Sequence, residues 1–360
     1  MNIFKIKLIV CHFSFTLILS FTSCSFLSDS FDAITGATGL FTSDGNSPFH
    51  KSDQKSLETG SLEVTGEIAN PGVVDLTAHY KREVIIKEAK PESENSIDFT
   101  GAFRYSGYSL FDILHPFVLQ KKNAEEFRPV TDLYIIIENE IGEKAVFSWS
   151  EIFHTNILHQ VIIATEVAPV ESYRQDVEFE TGETWKIVCG TDLFSFRSLE
   201  NPVKIEIRSF DKKTYTIDRN QVSVYSPRIK VITGNSEDFT IENNEDLDHI
   251  SYLSTFYGMG MGHHSTSRFW GPPLDLLISN QLDLFDTQRN RRGLVCFAGV
   301  DGYRAIYSFS ELFNRVDQVR PILAISDDYS DGGYYRIFHP SSFYADRSVK
   351  SLSEIYFFME

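Results

Sequence analysis

Cysteine, methionine and tryptophan are scarce, with four, four and three residues in 360. Four cysteines over that length exclude a disulfide-stapled scaffold. Positive charge is also in deficit. Lys and Arg number 33 against 50 Asp and Glu, a formal net charge of −17. A chain without a basic footprint is not built as a general nucleic-acid binder. Glycine and proline (21 and 12) are too few for a collagen-like or low-complexity chain. No Gly-x-Ser-x-Gly elbow, Walker loop or His-Glu-x-x-His helix is present. What is abundant is apolar and aromatic mass: 42% hydrophobic residues, with 30 Phe and 16 Tyr. That is enough to fill folded cores, and the length sets an expectation of about two domains.

The first 23 residues read as an address. Lys5 and Lys7 precede an apolar stretch from Ile9 to Phe21 that is too short and interrupted to span a bilayer, and it matches the apolar region of a secretory signal. It ends in Phe21-Thr22-Ser23-Cys24. Small residues before a cysteine resemble a bacterial lipobox, with Phe21 where Leu usually stands. The resemblance implies lipidation of Cys24 and anchoring in a bacterial envelope membrane, facing the periplasm or the surface. Residues 24–57, rich in Ser, Thr, Gly, Asp and Asn, read as a solvated tether. Cys189 and Cys296 lie in apolar strand-like runs and read as buried thiols.

The body is written twice. Phe147-Ser148-Trp149-Ser150-Glu151-Ile152-Phe153 returns as Tyr307-Ser308-Phe309-Ser310-Glu311-Leu312-Phe313, and Val161 to Ala164 as Pro321 to Ala324, both at an offset of 160. Tyr105-Ser106-Gly107 returns as Phe269-Trp270-Gly271, offset 164. Trp185 to Val188 and Arg197-Ser198-Leu199 return as Tyr335 to Phe338 and Arg347-Ser348-Val349, offset 150. Blocks kept in one order describe a tandem of two homologous domains, 58–210 and 221–360, with 211–220 as a polar linker and hinge.

Each unit reads as α+β with mixed or antiparallel sheets and short helices. Leu133 to Ile137 is a continuous apolar run, as in a buried strand. Leu110 to Leu114 and Leu274 to Ile278 read as short helices. Ser148 and Ser308 stand three residues before Glu151 and Glu311, the spacing of a capping box, which accounts for those carboxylates without an acid–base role. Arg197 and Arg347 read as structural charge partners near each repeat's last turn.

The block order resembles the molybdopterin-binding domain of the sulfite oxidase family. The second repeat carries it best, in Trp270-Gly271-Pro272-Pro273-Leu274, Asp301-Gly302-Tyr303, Ser310-Glu311-Leu312, Ile322-Leu323-Ala324, Gly333 to Pro340 and Arg347-Ser348-Val349. The resemblance implies a molybdenum held by a pterin dithiolene and one protein thiolate, upstream of the aromatic-x-Gly turn. Here the matching windows, Ile85 to Arg104 and Phe239 to Arg268, contain no cysteine. The expectation is therefore a retained fold without the cofactor, acting as a binding module for a small ligand, a metal or an envelope protein. The alternative is a molybdopterin-dependent oxidoreductase.

One segment stands out as a candidate ligand site. Tyr257-Gly258-Met259-Gly260-Met261-Gly262-His263-His264 alternates glycines, which permit close backbone approach, and ends in two imidazoles that can take a metal or a proton. Arg268, Asp301 and Tyr303 are its expected neighbours. Asp327 to Gly332 reads as a solvated hairpin tip, because it lacks the oxygen spacing of a calcium loop.

Overall fold

The computed structural model describes residues 54–93, 96–170, 178–218, 226–234, 237–242, 247–325 and 334–360. The expected signal peptide, Cys24, the tether up to residue 53 and the turn Asp327–Gly332 lie outside these. Gln54–Pro169 and Phe179–Glu360 form one compact unit, so both repeats belong to a single body. A second unit, Met1–Asp53 with Val170–Glu178, falls almost wholly outside the described residues.

In the first repeat the strands are β1 (Lys55–Ser56), β2 (Glu63–Gly66), β3 (Gly72–Val73), β4 (Lys81–Ser93) and β5 (Ser96–Ser109). After helix α1 (Leu110–Leu114) come β6 (Leu133–Asn139), β7 (Lys144–Ser148), α2 (Trp149–Phe153), β8 (Val161–Pro169), β9 (Lys186–Cys189), β10 (Leu199–Glu200) and β11 (Pro202–Ser209). The second repeat runs β12 (Ile229–Ile232), β13 (Phe239–Ile241), β14 (Ile250–Gly258), β15 (Gly262–Gly271), α3 (Leu274–Ile278) and α4 (Thr287–Arg292). It continues through β16 (Gly293–Gly299), β17 (Arg304–Ser308), α5 (Phe309–Phe313), β18 (Ile322–Ile325), β19 (Tyr335–Phe338) and β20 (Leu352–Met359).

The architecture is α+β. One five-stranded sheet has the order β3-β2-β11-β6-β7 and the other the order β13-β12-β20-β16-β17. In each, the entering strand lies parallel to the closing strand, β2 on β11 and β12 on β20, and the remaining pairs are antiparallel. A second layer covers each sheet: β10-β9-β8-β5-β4 in the first repeat and the hairpins β14–β15 and β18–β19 in the second.

The apolar run in β6 is continuous because both its faces are buried. Leu133, Ile135 and Ile137 enter the core of their own repeat. Tyr134 and Ile136 point the other way and pack with Val146, Leu294, Cys296 and Ile306. Strand alternation thus divides one sequence between two cores. The second core is shared by the repeats and joins β6–β7 to β16–β17. Each large apolar side chain buried there contributes roughly 1.5–3 kcal/mol.

The loops after β9 and β19 cross to the opposite repeat. Leu193 N donates to Asn314 O and Phe194 N to Asn314 Oδ1, both 2.8–2.9 Å, at the C-terminal end of α5. Reciprocally, Phe343 N donates to His154 O, 3.4 Å, at the end of α2.

Two boundaries differ from the sequence expectation. Residues 54–57, assigned to the tether, belong to the fold: β1 pairs with β8 and Leu57 is buried. The linker is also not a free hinge over 211–218. Lys212 and Lys213 reach Glu360 and Glu354 at 2.7 and 2.5 Å, and the Tyr215 hydroxyl donates to Glu354 at 2.5 Å. The linker's charges meet buried carboxylates on β20 (Glu354) and just beyond its end (Glu360), a pairing that local composition does not reveal.

Candidate functional site

The strand-to-helix corner of each repeat provides the framework. Ser148 and Ser308 cap α2 and α5, and Glu151 and Glu311 complete the two capping boxes. The sequence expects these caps. What it does not show is that the corners face each other across the repeats.

Arg197 donates through Nη1 to both Glu151 oxygens at 3.0 and 3.1 Å, and to Ser308 Oγ of the other repeat at 3.1 Å. Arg347 mirrors it. Its Nη1 and Nη2 hold Glu311, the latter at 2.9 Å, and Nη2 reaches Ser148 Oγ at 3.2 Å. Ser148 Oγ donates to Glu311 Oε2 at 2.8 Å. Arg197 stacks on Phe147 at 4.3 Å and Arg347 on Tyr307 at 3.7 Å. Both arginines are almost wholly enclosed, at 0% and 2% exposure. Such pairs need these extra hydrogen bonds to offset the desolvation of the charges.

The mirror is broken at one position. Arg197 also binds Asp192, through Nε at 2.9 Å and Nη2 at 2.6 Å. At the same offset of 150, the second repeat has Ser342. The Nε of Arg347 consequently has no hydrogen-bond partner among the described residues. Arg197 is shared by two carboxylates, whereas Arg347 serves Glu311.

That difference sets the protonation of the two glutamates. Burial, reinforced by the charges of Glu311 and Asp192, pushes Glu151 up from 4.5 to about 7 despite Arg197. Burial also opposes ionisation of Glu311, but Arg347 outweighs it and holds that carboxyl below its ordinary value. Because the folded chain keeps the Glu151 proton more tightly than the unfolded chain, the stability from this group is full below about pH 4.5 and is lost as pH rises towards 7. For Glu311 the contribution is present above the ordinary carboxylate value and is lost as pH falls. The stability cost of Glu151→Gln should therefore shrink between about pH 5 and about pH 8 in urea denaturation. That of Glu311→Gln should not. Equal pH dependence for both would contradict the asymmetry traced to Asp192.

Beside this network lies a cleft of about 30 Å³, walled by His154, Gln160 and Asp192 from one repeat and Arg315, His339 and Arg347 from the other. Burial lowers His154 to about 4, with Arg347 adding to the effect. Burial does the same to His339, with Arg315 the main charge against its protonation. His339 is buried and placed within 3.2 Å of Glu311 O through Nε2, while Ser341 N donates to its Nδ1 at 3.3 Å. Neutral imidazoles and paired charges suit the cleft to hold a small polar group, and Glu151, which also lines it, is the carboxyl that burial pushes up to about 7. A separate groove of about 240 Å³, lined by Gly234, Arg289, Phe309, Tyr356 and Phe358, opens beside β20.

The residues present do not fit a molybdenum–pterin centre. Cys296 lies inside the shared core. Cys189, at the end of β9, is surrounded by Thr191, Asp192 and Arg197 at 3.2–3.3 Å. Burial pushes both thiols far up, away from the thiolate that the metal requires.

The residues singled out from sequence fall into two groups. Gly258, Gly260, Gly262, His263 and His264 form the tip of hairpin β14–β15, where Gly260 and both histidines are exposed, Gly262 is half-buried and Gly258 is buried. Arg268 stands lower on β15, opposite Leu253, and donates to Ser251 Oγ at 2.8 Å. Asp301 and Tyr303 belong to the β16–β17 turn, where Asp301 Oδ1 accepts from Tyr303 N at 3.1 Å. Among the described residues no hydrogen bond or ion pair joins Arg268 or Asp301 to either histidine. The tip and turn meet instead through Asp346, whose carboxylate accepts from Met259 N at 2.6 Å and whose carbonyl accepts from the Tyr303 hydroxyl at 2.9 Å. Asp346, Asp192, Arg315 and His339 were not singled out from the sequence. The recurrence of Arg197-Ser198-Leu199 as Arg347-Ser348-Val349 is the available signal.

No protein-family model matches the chain, and comparison with curated proteins found no match. No helix among the described residues is long and apolar enough to cross a membrane.

Proposed function

We propose that this chain is a bacterial cell-envelope lipoprotein whose two sulfite-oxidase-like repeats serve as a non-catalytic binding module. The observation that carries this reading is the inter-repeat cleft. Its walls come from both repeats, and its charged groups are held by one another. Ligand sites commonly form where two units meet. A cavity of about 30 Å³ accommodates one or two waters or the polar tip of a larger molecule. The partners in this reading are the membrane, through lipidated Cys24, and a small polar ligand or an envelope protein presenting such a tip. Nucleic acid is not among them, and no cofactor is required. The other reading is a molybdopterin-dependent oxidoreductase of sulfite oxidase type, and the two buried thiols argue against it.

Metal analysis of the full chain, purified from its own host, separates these readings. Molybdenum well below one atom per chain is expected, and a stoichiometric content would overturn the binding-module reading. Replacing Cys24 by serine should move the protein from the membrane to the soluble fraction. Unchanged fractionation would remove the lipid anchor from the proposal.

A further inference from the structure

The chain has four methionines, and two of them, Met259 and Met261, flank Gly260 at one hairpin tip. Methionine ordinarily fills gaps in cores. Here Met261 is 80% exposed and Met259 38%. His263 and His264 follow at once. Two thioethers and two imidazoles thus share six consecutive residues that contain no charged side chain.

The backbone of the tip suits convergence of these groups. Gly258 pairs with Gly262 across the turn, and Gly262 adopts φ +72°, a conformation that a side chain would disfavour. The register slips between Phe256 and Tyr257, because Phe256 pairs with Ser265 but Tyr257 pairs with His263. His264 is therefore the extra residue of a bulge, and the alternation that would send adjacent side chains to opposite faces is interrupted there. His264 Nε2 and Asp346 Oδ2 lie 2.9 and 3.6 Å from the point where a Cβ on Gly258 would stand. The absence of a side chain at Gly258 gives that imidazole its place over the turn, while Asp346 ties the turn down through the Met259 amide. Tyr257, with its ring centre 5.9 Å from that of Phe343, lines the base of the tip.

The donor set decides the metal. Among the described residues no three His, Cys, Asp or Glu side chains gather as a metal site, so the usual zinc sets are not formed. Hard cations require oxygen ligands. Thioethers select Cu(I), and imidazole also suits copper.

We propose that the tip of hairpin β14–β15 is a Cu(I) site in which Met259, Met261, His263 and His264 supply the ligands. The site is separate from the inter-repeat cleft and stands or falls independently of it. The test is anaerobic titration of the full chain with Cu(I) in competition with bicinchoninate. One equivalent should be withdrawn from the chelator. Met259→Leu with Met261→Leu, a change of similar volume at an exposed turn, should leave the melting temperature unchanged. It should weaken Cu(I) binding by about tenfold or more, the scale felt on losing even an outer-shell partner. His263→Ala with His264→Ala should abolish binding. Wild-type chain that leaves copper with the chelator, or a double-Leu variant that binds as tightly as wild type, would overturn the proposal.

Discussion

Replacing Arg347 with alanine is expected to destabilise the folded chain by about 3–5 kcal/mol, the range for removing one partner of a buried ion pair. The substitution strands Glu311 in a buried corner and leaves Ser148 Oγ, on the other repeat, without its guanidinium donor. It also removes the cation stacked on Tyr307. Lysine should not rescue the loss. A single ammonium cannot reproduce the planar fork that reaches Glu311, Ser148 Oγ and Ile306 O together. Urea denaturation at fixed pH measures the effect, and a cost under about 1 kcal/mol would place the network among weak surface pairs instead.

Alanine at Gly107 should cost at least about 3 kcal/mol, at the upper end of overpacking penalties. A Cβ there would stand 2.0 Å from Ile163 O, and one at Gly271 would stand 2.1 Å from Leu323 O. The obstacle in both places is backbone, with no flexible side chain to move aside. The two glycines occupy corresponding places, where β5 meets β8 and where the end of β15 meets β18. Gly72→Ala is the control, because a Cβ at Gly72 meets nothing within 4 Å. Melting temperatures for the three variants decide the matter. A Gly107 variant as stable as the Gly72 variant would mean that the strands can separate at little cost.

Much of the fold could be read from the sequence, because its signals are local. The doubled Ser-x-x-Glu corners, the apolar runs of β6 and β16, and the glycine before each short helix depend on neighbours a few residues away. The candidate site was legible only in fragments. Glu151, Glu311, Arg197 and Arg347 could each be given a structural role, but nothing within a local window states that Ser308 caps one helix and also receives Arg197 from the opposite repeat. The contrast between Asp192 and Ser342 is visible in the alignment of the repeats, yet its effect on Glu151 needs the buried geometry. Conversely, the histidine loop stands out through composition, and Arg268, Asp301 and Tyr303 are its expected neighbours. The hairpin carries Arg268 down its length, and the turn holds Asp301 on its own backbone.

The crossed loops also bear on how the chain is made. Asn314 and His154 at the helix ends receive their backbone partners from the opposite repeat. At common synthesis rates, the roughly 190 residues between His154 at the first-repeat corner and Phe343 in its crossing loop take about ten to forty seconds to appear. Until then the newly made first half presents the uncovered face of Tyr134, Ile136 and Val146 to its surroundings. That nascent interval is the period in which such a protein depends most on being shielded from its neighbours.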